Sequence, residues 1–302
     1  MIFVYFQFYL FWNVSNLSRN VQLHRNSINS GFDVWHKAGF DMELGLTGKV
    51  ALVTGASAGI GKAVAAELCR EGCHVHMVSR SQDKLSAAAE ELTAGDATKV
   101  SLHAMDLSLS HNVGKLVDAV GTPDILVNNA GAIPAGDLQT ITESKWREAW
   151  DLKVFGYLNM TRAFMAKMTD RGSGVIVNVT GLAADRTDAS YVAGTTGNAG
   201  LNAFSRAVGG RSLSDGVRVL AVSPGPVATE RLVGLMRSRA ESEFNDAESW
   251  QEYFKNLPDG RAATVQEIAD VVVFMASERA GYVSGTVVTV DGGHGGNLAS
   301  FA

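Results

Sequence analysis

The chain has 302 residues, 46% of them hydrophobic and 19% charged, enough for one large α/β domain or two small ones around a substantial core. A net charge of -5 without any basic cluster argues against a nucleic-acid partner. The two cysteines, Cys69 and Cys73, fit neither a C-x-x-C redox pair nor a metal site; they read as buried small hydrophobes in a reducing, cytoplasmic setting.

Met1 to Trp12 is almost wholly apolar, and Asn13 to Ser30 turns polar and rich in Asn and Ser. The apolar stretch is shorter than the ~20 residues of a bilayer span, and it shows neither a basic n-region nor a small-residue cleavage site. Residues 1–41 are therefore expected to be an extension outside the fold or a start assigned too early, a membrane-associating anchor being the alternative. No integral span is expected. Asn13-Val14-Ser15 matches the glycosylation triplet, which has meaning only with secretion.

From Met42 onward, apolar runs alternate with helix-period segments. Strands are expected at Val50 to Thr54, His74 to Ser79, Val100 to Asp106, Ile125 to Asn129, Val175 to Thr180, Val217 to Ser223 and Thr286 to Val290. Helices such as Lys62 to Glu71 and Gln82 to Leu92 lie between them. About seven strands separated by helices imply an α/β fold: a single Rossmann-type doubly wound domain over 42–302, parallel, with helices on both faces. His74 and His76 are expected to point to opposite faces of the second strand.

The first strand runs directly into T-G-A-S-A-G-I-G at Thr54 to Gly61. A turn free of side chains lets the backbone approach a pyrophosphate, and the helix that opens near Ile60 offers unpaired N–H groups and a partial positive charge. Glycines at 55, 59 and 61 depart from G-x-G-x-x-G spacing, so the motif needs support from its surroundings. It finds that support in Asp106-Leu107 after the third strand and Asn128-Asn129-Ala130-Gly131 after the fourth. Tyr191 heads a helix, Ser223 to Thr229 follows the sixth strand, and Ser284-Gly285-Thr286 and Asp291-Gly292-Gly293 flank the seventh.

Together these motifs resemble the classical short-chain dehydrogenases/reductases over Met42 to Gly293. The resemblance implies a dinucleotide held by Thr54, Gly55, Ser57, Gly59, Ile60 and Gly61, with Asp106 accepting from the adenine amino group beside Leu107. Asn128, Ala130 and Gly131 would line the adenosine and ribose side, Pro224 and Gly225 the nicotinamide ring, and Val227 and Thr229 its carboxamide. The second strand ends in Val78-Ser79-Arg80-Ser81 with no acid before Asp83. Arg80 is suited to a 2'-phosphate that an acidic residue would repel, so NADP is expected over NAD.

The catalytic set departs from the family's Tyr, Lys, Ser and Asn. Tyr191 is followed four residues later by Thr195, not Lys; the serine position falls on Gly181, preceded by Thr180; and Lys153 stands where Asn is expected. The loop to Tyr191 is also about three residues shorter than the family's. Residues four apart share a helix face, so Thr195 takes the ammonium's place without a charge. Lys153 is expected to reach from the neighbouring helix into the space that Thr195 vacates, and Thr180 to supply the missing hydroxyl. Asn198 is expected to be a packing residue, and Asp185 and Asp188 solvated loop acids.

The segment 230–258, with Leu232, Leu235, Met236, Trp250, Tyr253 and Phe254 at helical spacing, resembles the family's lid over the nicotinamide and predicts a hydrophobic carbonyl or alcohol substrate. A long helix from about Glu143 to Met168 resembles the one that pairs subunits and predicts a homodimer or homotetramer. The function expected is NADPH-dependent carbonyl reduction or the reverse oxidation. The alternative is a nucleotide-binding relative with little or no redox activity, serving as a sensor or partner subunit.

Overall fold

The computed structural model describes residues 42–93 and 99–296; the expectations for residues 1–41 lie outside that range. The described chain from Leu44 onward belongs to one compact unit. Seven parallel strands form one sheet: β1 (Val50–Thr54), β2 (His74–Ser79), β3 (Val100–Ala104), β4 (Ile125–Asn128), β5 (Gly174–Val179), β6 (Val217–Pro224) and β7 (Val287–Val290). Their order is β3-β2-β1-β4-β5-β6-β7. The chain winds outward from β1 in one direction and then from β4 in the other, so a crevice opens at the carboxyl edge where the winding reverses.

The central strands are continuous apolar runs because both of their faces are covered. On one face Val53, Val75, Met77, Val127 and Val177 meet Val64 and Leu68 of α1 (Gly59–Arg70), Leu85 of α2 (Gln82–Thr93) and Val272 of α8 (Val265–Ala276). On the other, Leu52, Leu126 and Ile176 meet Leu116 of α3 (Ser110–Val120) and Met160, Phe164 and Met168 of α5 (Gly156–Arg171). Cys69 and Cys73 are free and buried in the first of these layers, and burial pushes both thiols up, to about 11 and about 12. They are inert hydrophobes, as expected.

The helix expected over Glu143 to Met168 is interrupted. It begins as α4 (Glu143–Trp150), widens into a π segment at Asp151–Phe155, and continues as α5 to Arg171. Such bulges are rare and frequently sit at functional sites; this one carries Lys153. The expectation for His74 and His76 is corrected. Residues two apart on a strand share a face, and these rings lie 4.6 Å apart, with His76 Nδ1 2.9 Å from His103 Nε2. Desolvation and the neighbouring imidazoles depress His76 to about 4. Among the described residues no helix is long and apolar enough to cross a membrane.

Candidate active site

The β1 to α1 turn is shaped by backbone contacts that only glycine permits. Gly55 and Gly59 have φ of 68° and 56°, the left-handed region that costs a side chain free energy. A Cβ on Gly55 would lie 2.9 Å from the Ala130 Cα, and one on Gly61 would run into the Gly55 carbonyl. Thr54 locks the two strand ends together: its Oγ1 donates to Val127 O and accepts from the N–H groups of Asn129 and Ala130 at 2.9 and 3.0 Å. No side chain caps the first turn of α1. Its N–H groups and dipole face the crevice, an arrangement that admits a pyrophosphate.

Beside this turn lies a cavity of about 390 Å³ whose lining includes Gly55, Ser79, Arg80, Asp106, Leu107 and Gly131. Asp106 is held by Ser108, whose N–H and hydroxyl both donate to Oδ1; its other oxygen has no partner among the described residues and is left for a donor such as an exocyclic amine. Ser57 and Ser79 hydroxyls are 2.9 Å apart next to the exposed Arg80. Across the crevice, Gly225 donates to Val290 O, Val227 is buried, and Thr229 caps α7 (Glu230–Phe244) by accepting from Leu232 N. The Thr229 methyl sits 3.3 Å from where a Cβ of Gly59 would lie, so the two sides approach there. Pro224 closes β6, and Ile60 packs under the turn.

Asn128 departs from expectation. It does not line the cavity: it is buried, donating to Thr161 Oγ1 and Asn178 Oδ1 at 3.1 and 2.9 Å, and so ties β4, β5 and α5 together. The sequence motif marks the correct strand end, but the strand's alternation turns residue 128 inward.

The catalytic candidates also divide. Tyr191 is the N-cap residue of α6 (Val192–Ser212) and packs with Ile133, Trp146 and Trp150. Desolvation raises its phenol above the ordinary tyrosine value, and the charge of Arg231 partly offsets this. Arg231, in the first turn of α7, is a residue that sequence reasoning missed; the only signal was a cation two residues after the Thr229 cap. Thr180 is buried, with its hydroxyl directed at Val222 O, and Thr195 accepts from Asp188 N at 3.4 Å. Neither hydroxyl is directed as expected, because each finds a backbone partner nearby.

Lys153 is committed to the end of β5. Its stem lies against Gly131, where a Cβ would stand 2.6 Å from the lysine's own, and Nζ donates to the carbonyls of Val179 and Thr180 at 3.5 and 3.2 Å. Desolvation lowers this ammonium to about 8, within reach of proton exchange near neutrality. Arg186 donates to the His294 ring, joining the loop after β5 to the segment after β7. In the segment 230–258 Leu235 is exposed while Phe254 is buried against Trp250.

Known proteins are similar to this chain in sequence and fold. A family model described as enoyl-(acyl carrier protein) reductase matches residues 55–295. An uncharacterized oxidoreductase of Bacillus subtilis, YvrD, is 32% identical over 83% of this chain and 98% of its own length. The 3-oxoacyl-[acyl-carrier-protein] reductase FabG of Chlamydia muridarum is 31% identical over 82% of this chain and 98% of its own. The crystal structure of L-sorbose reductase from Gluconobacter frateurii, complexed with NADPH and L-sorbose, superposes with a TM-score of 0.81 at 31% identity, covering 85% of this chain and all of that one. With that match over most of the chain, and with the glycine turn and the strand order placed as they are, the chain belongs to the short-chain dehydrogenase/reductase family.

Proposed function

We propose that the protein is an NADPH-dependent reductase of a small-molecule carbonyl, with Tyr191 as the proton donor. The observation that carries this reading is the crevice itself. A glycine turn fit for a pyrophosphate runs on into Ser57, Ser79 and Arg80, a cationic hydrogen-bonding corner with no acid at the end of β2 to repel a 2'-phosphate. NADPH, when bound, supplies the hydride. Thr54, Gly55, Gly59 and Gly61 would hold its phosphates, Asp106 and Leu107 its adenine, Ala130 and Gly131 its ribose side, and Pro224 to Thr229 its nicotinamide end.

Tyr191 then donates a proton from its hydroxyl to the carbonyl oxygen, yielding the alcohol. Arg231 favours the phenolate left behind, and Lys153, low in pKa, holds an exchangeable proton at the end of β5. Solved and curated relatives that act on a sugar ketone and on 3-oxoacyl thioesters support a ketone as substrate. The segment 230–258 serves as the lid over a hydrophobic substrate, the chain from 42 acts as one domain, and the protein works in the cytoplasm. It pairs with a second copy through the face where the exposed Leu138 and Phe155 flank the half-buried Trp146 and Trp150.

A second reading, binding without turnover, is favoured by the side-chain commitments of Thr180 and Thr195. One experiment separates the two. NADPH oxidation is followed over a panel of ketones that includes L-sorbose and acetoacetyl-coenzyme A, with Tyr191→Phe as control. Turnover that falls about 10²- to 10⁴-fold in the variant, at unchanged NADPH affinity, supports the reductase; binding without any turnover supports the second reading.

A further inference from the structure

Tyr191 makes no side-chain cap bond, and its ring folds back over the first turn of α6. A Cβ built on Gly194 would fall on the ring's Cε1 and Cζ, so this ring position and a side chain at 194 exclude each other. Glycine inside a helix costs about 1 kcal/mol relative to alanine, and here the ring is what it makes room for. Four residues on, Asn198 is 3% exposed. Its Nδ2 donates to Gly194 O at 2.9 Å, while Oδ1 is buried without a partner among the described residues. The same amide lies 3.3 to 3.5 Å from where a Cβ on Gly181 would stand. Gly181, Gly194 and Asn198 therefore converge beneath the Tyr191 ring.

We propose that the acid–base site is built one helical turn out of frame: Gly194 and Asn198, not Tyr191 and Thr195, occupy the family's Tyr and Lys positions, and the Tyr191 ring fills the space left at Gly194. The proposal rests on the reductase reading and adds two positioning residues to the same site. The loop before Tyr191 is shorter than the family's by about three residues, close to the 3.6 of one turn. In the shifted frame Lys153 and Asn198 are an exchange, a lysine at the family's Asn position and an asparagine at its Lys position. Both reach the end of β5, Lys153 Nζ at the carbonyls of Val179 and Thr180 and Asn198 beside Gly181. The shift also explains why Thr195 faces Asp188 rather than the crevice.

The test is substrate-independent. Protein labelled with ¹³Cζ-tyrosine is titrated by NMR, the Tyr191 resonance being assigned with Tyr191→Phe, in the wild type, Gly194→Ala and the control Gly200→Ala, where nothing lies within 4 Å. The three atoms nearest to a Cβ at 194 all belong to the Tyr191 ring, the far end of a rotatable side chain, so the helix should stay intact while the ring swings out. The Tyr191 resonance should then titrate near the ordinary value of about 10 in Gly194→Ala, against a higher value in the wild type and Gly200→Ala. An unchanged titration in Gly194→Ala overturns the proposal. As a second arm, Lys153→Asn and Asn198→Lys should each lower Tm, and the double variant should recover at least half of the summed loss; strictly additive losses count against the exchange. NADPH binding is measured on the same wild-type sample, and its absence would sink the reductase reading while leaving the ring geometry decided by the titration.

Discussion

On the reading proposed above, Arg80 is the side chain that chooses between two cofactors differing by a single phosphate. It is exposed at the end of β2, flanks the cavity, and stands beside two serines within hydrogen-bonding distance of each other. A charge-assisted hydrogen bond contributes about 1.5–3 kcal/mol, so Arg80→Asp should weaken NADPH by roughly 10- to 100-fold and strengthen NADH, as measured by fluorescence titration of both. A variant that leaves the ratio of the two affinities unchanged would remove Arg80 from the phosphate corner. The glycine turn makes a sharper prediction at the same scale. Gly61→Ala drives a methyl into the Gly55 carbonyl and should cost both dinucleotide binding and stability, whereas Gly114→Ala, with open space around it, should be neutral or slightly stabilising.

At the level of elements, Arg218 of β6 does the work of a helix cap. Its guanidinium donates to the carbonyls of Met275, Ala276 and Ser277 at the end of α8, and to Val283 O beyond. These are the groups a helix terminus leaves unsatisfied. Arg218→Met should therefore lower unfolding free energy by at least about 2 kcal/mol in urea melts, with the loss shared by β7, which follows that turn. Nothing in the sequence marked Arg218, since a single arginine within an apolar run has no local signature. By contrast β1 was legible to the residue, because a strand buried on both faces reads as an unbroken apolar run, and β2 was legible although His74 and His76 interrupt its apolar residues. The shape of the glycine turn was legible for a related reason: Gly55 and Gly61 act through backbone geometry, and Asp106 follows a strand end, both of which local sequence dictates. The catalytic side was not. There, register decides: the π segment rotates Lys153 toward β5, strand alternation buries Asn128 and pairs His74 with His76, and α6 sets Thr195 against Asp188.

For the molecule as a whole, the same half-buried lysine couples the site to stability. Lys153 falls to about 8 in the folded chain from the ordinary 10.5, because its ammonium is desolvated between π segment and sheet. A lowered lysine pKa means that between about 8 and 10.5 the unfolded chain binds more protons than the folded one, so this group makes stability rise with pH through that window; below it both states are charged and the contribution is flat. Cys69 and Cys73, raised to about 11 and about 12, act in the opposite sense above their ordinary value of 9.0, since there the unfolded thiols ionise first. The net curve thus mixes two signs, and the informative quantity is a difference. Urea unfolding of the wild type and Lys153→Met, compared at pH 7 and pH 10, should show the variant more stable relative to the wild type at pH 7 than at pH 10, the gap narrowing as Lys153 of the folded wild type loses its proton. A gap independent of pH would mean that Lys153 keeps its charge in the fold, and with it would go the view that the lysine beside Thr180 holds an exchangeable proton.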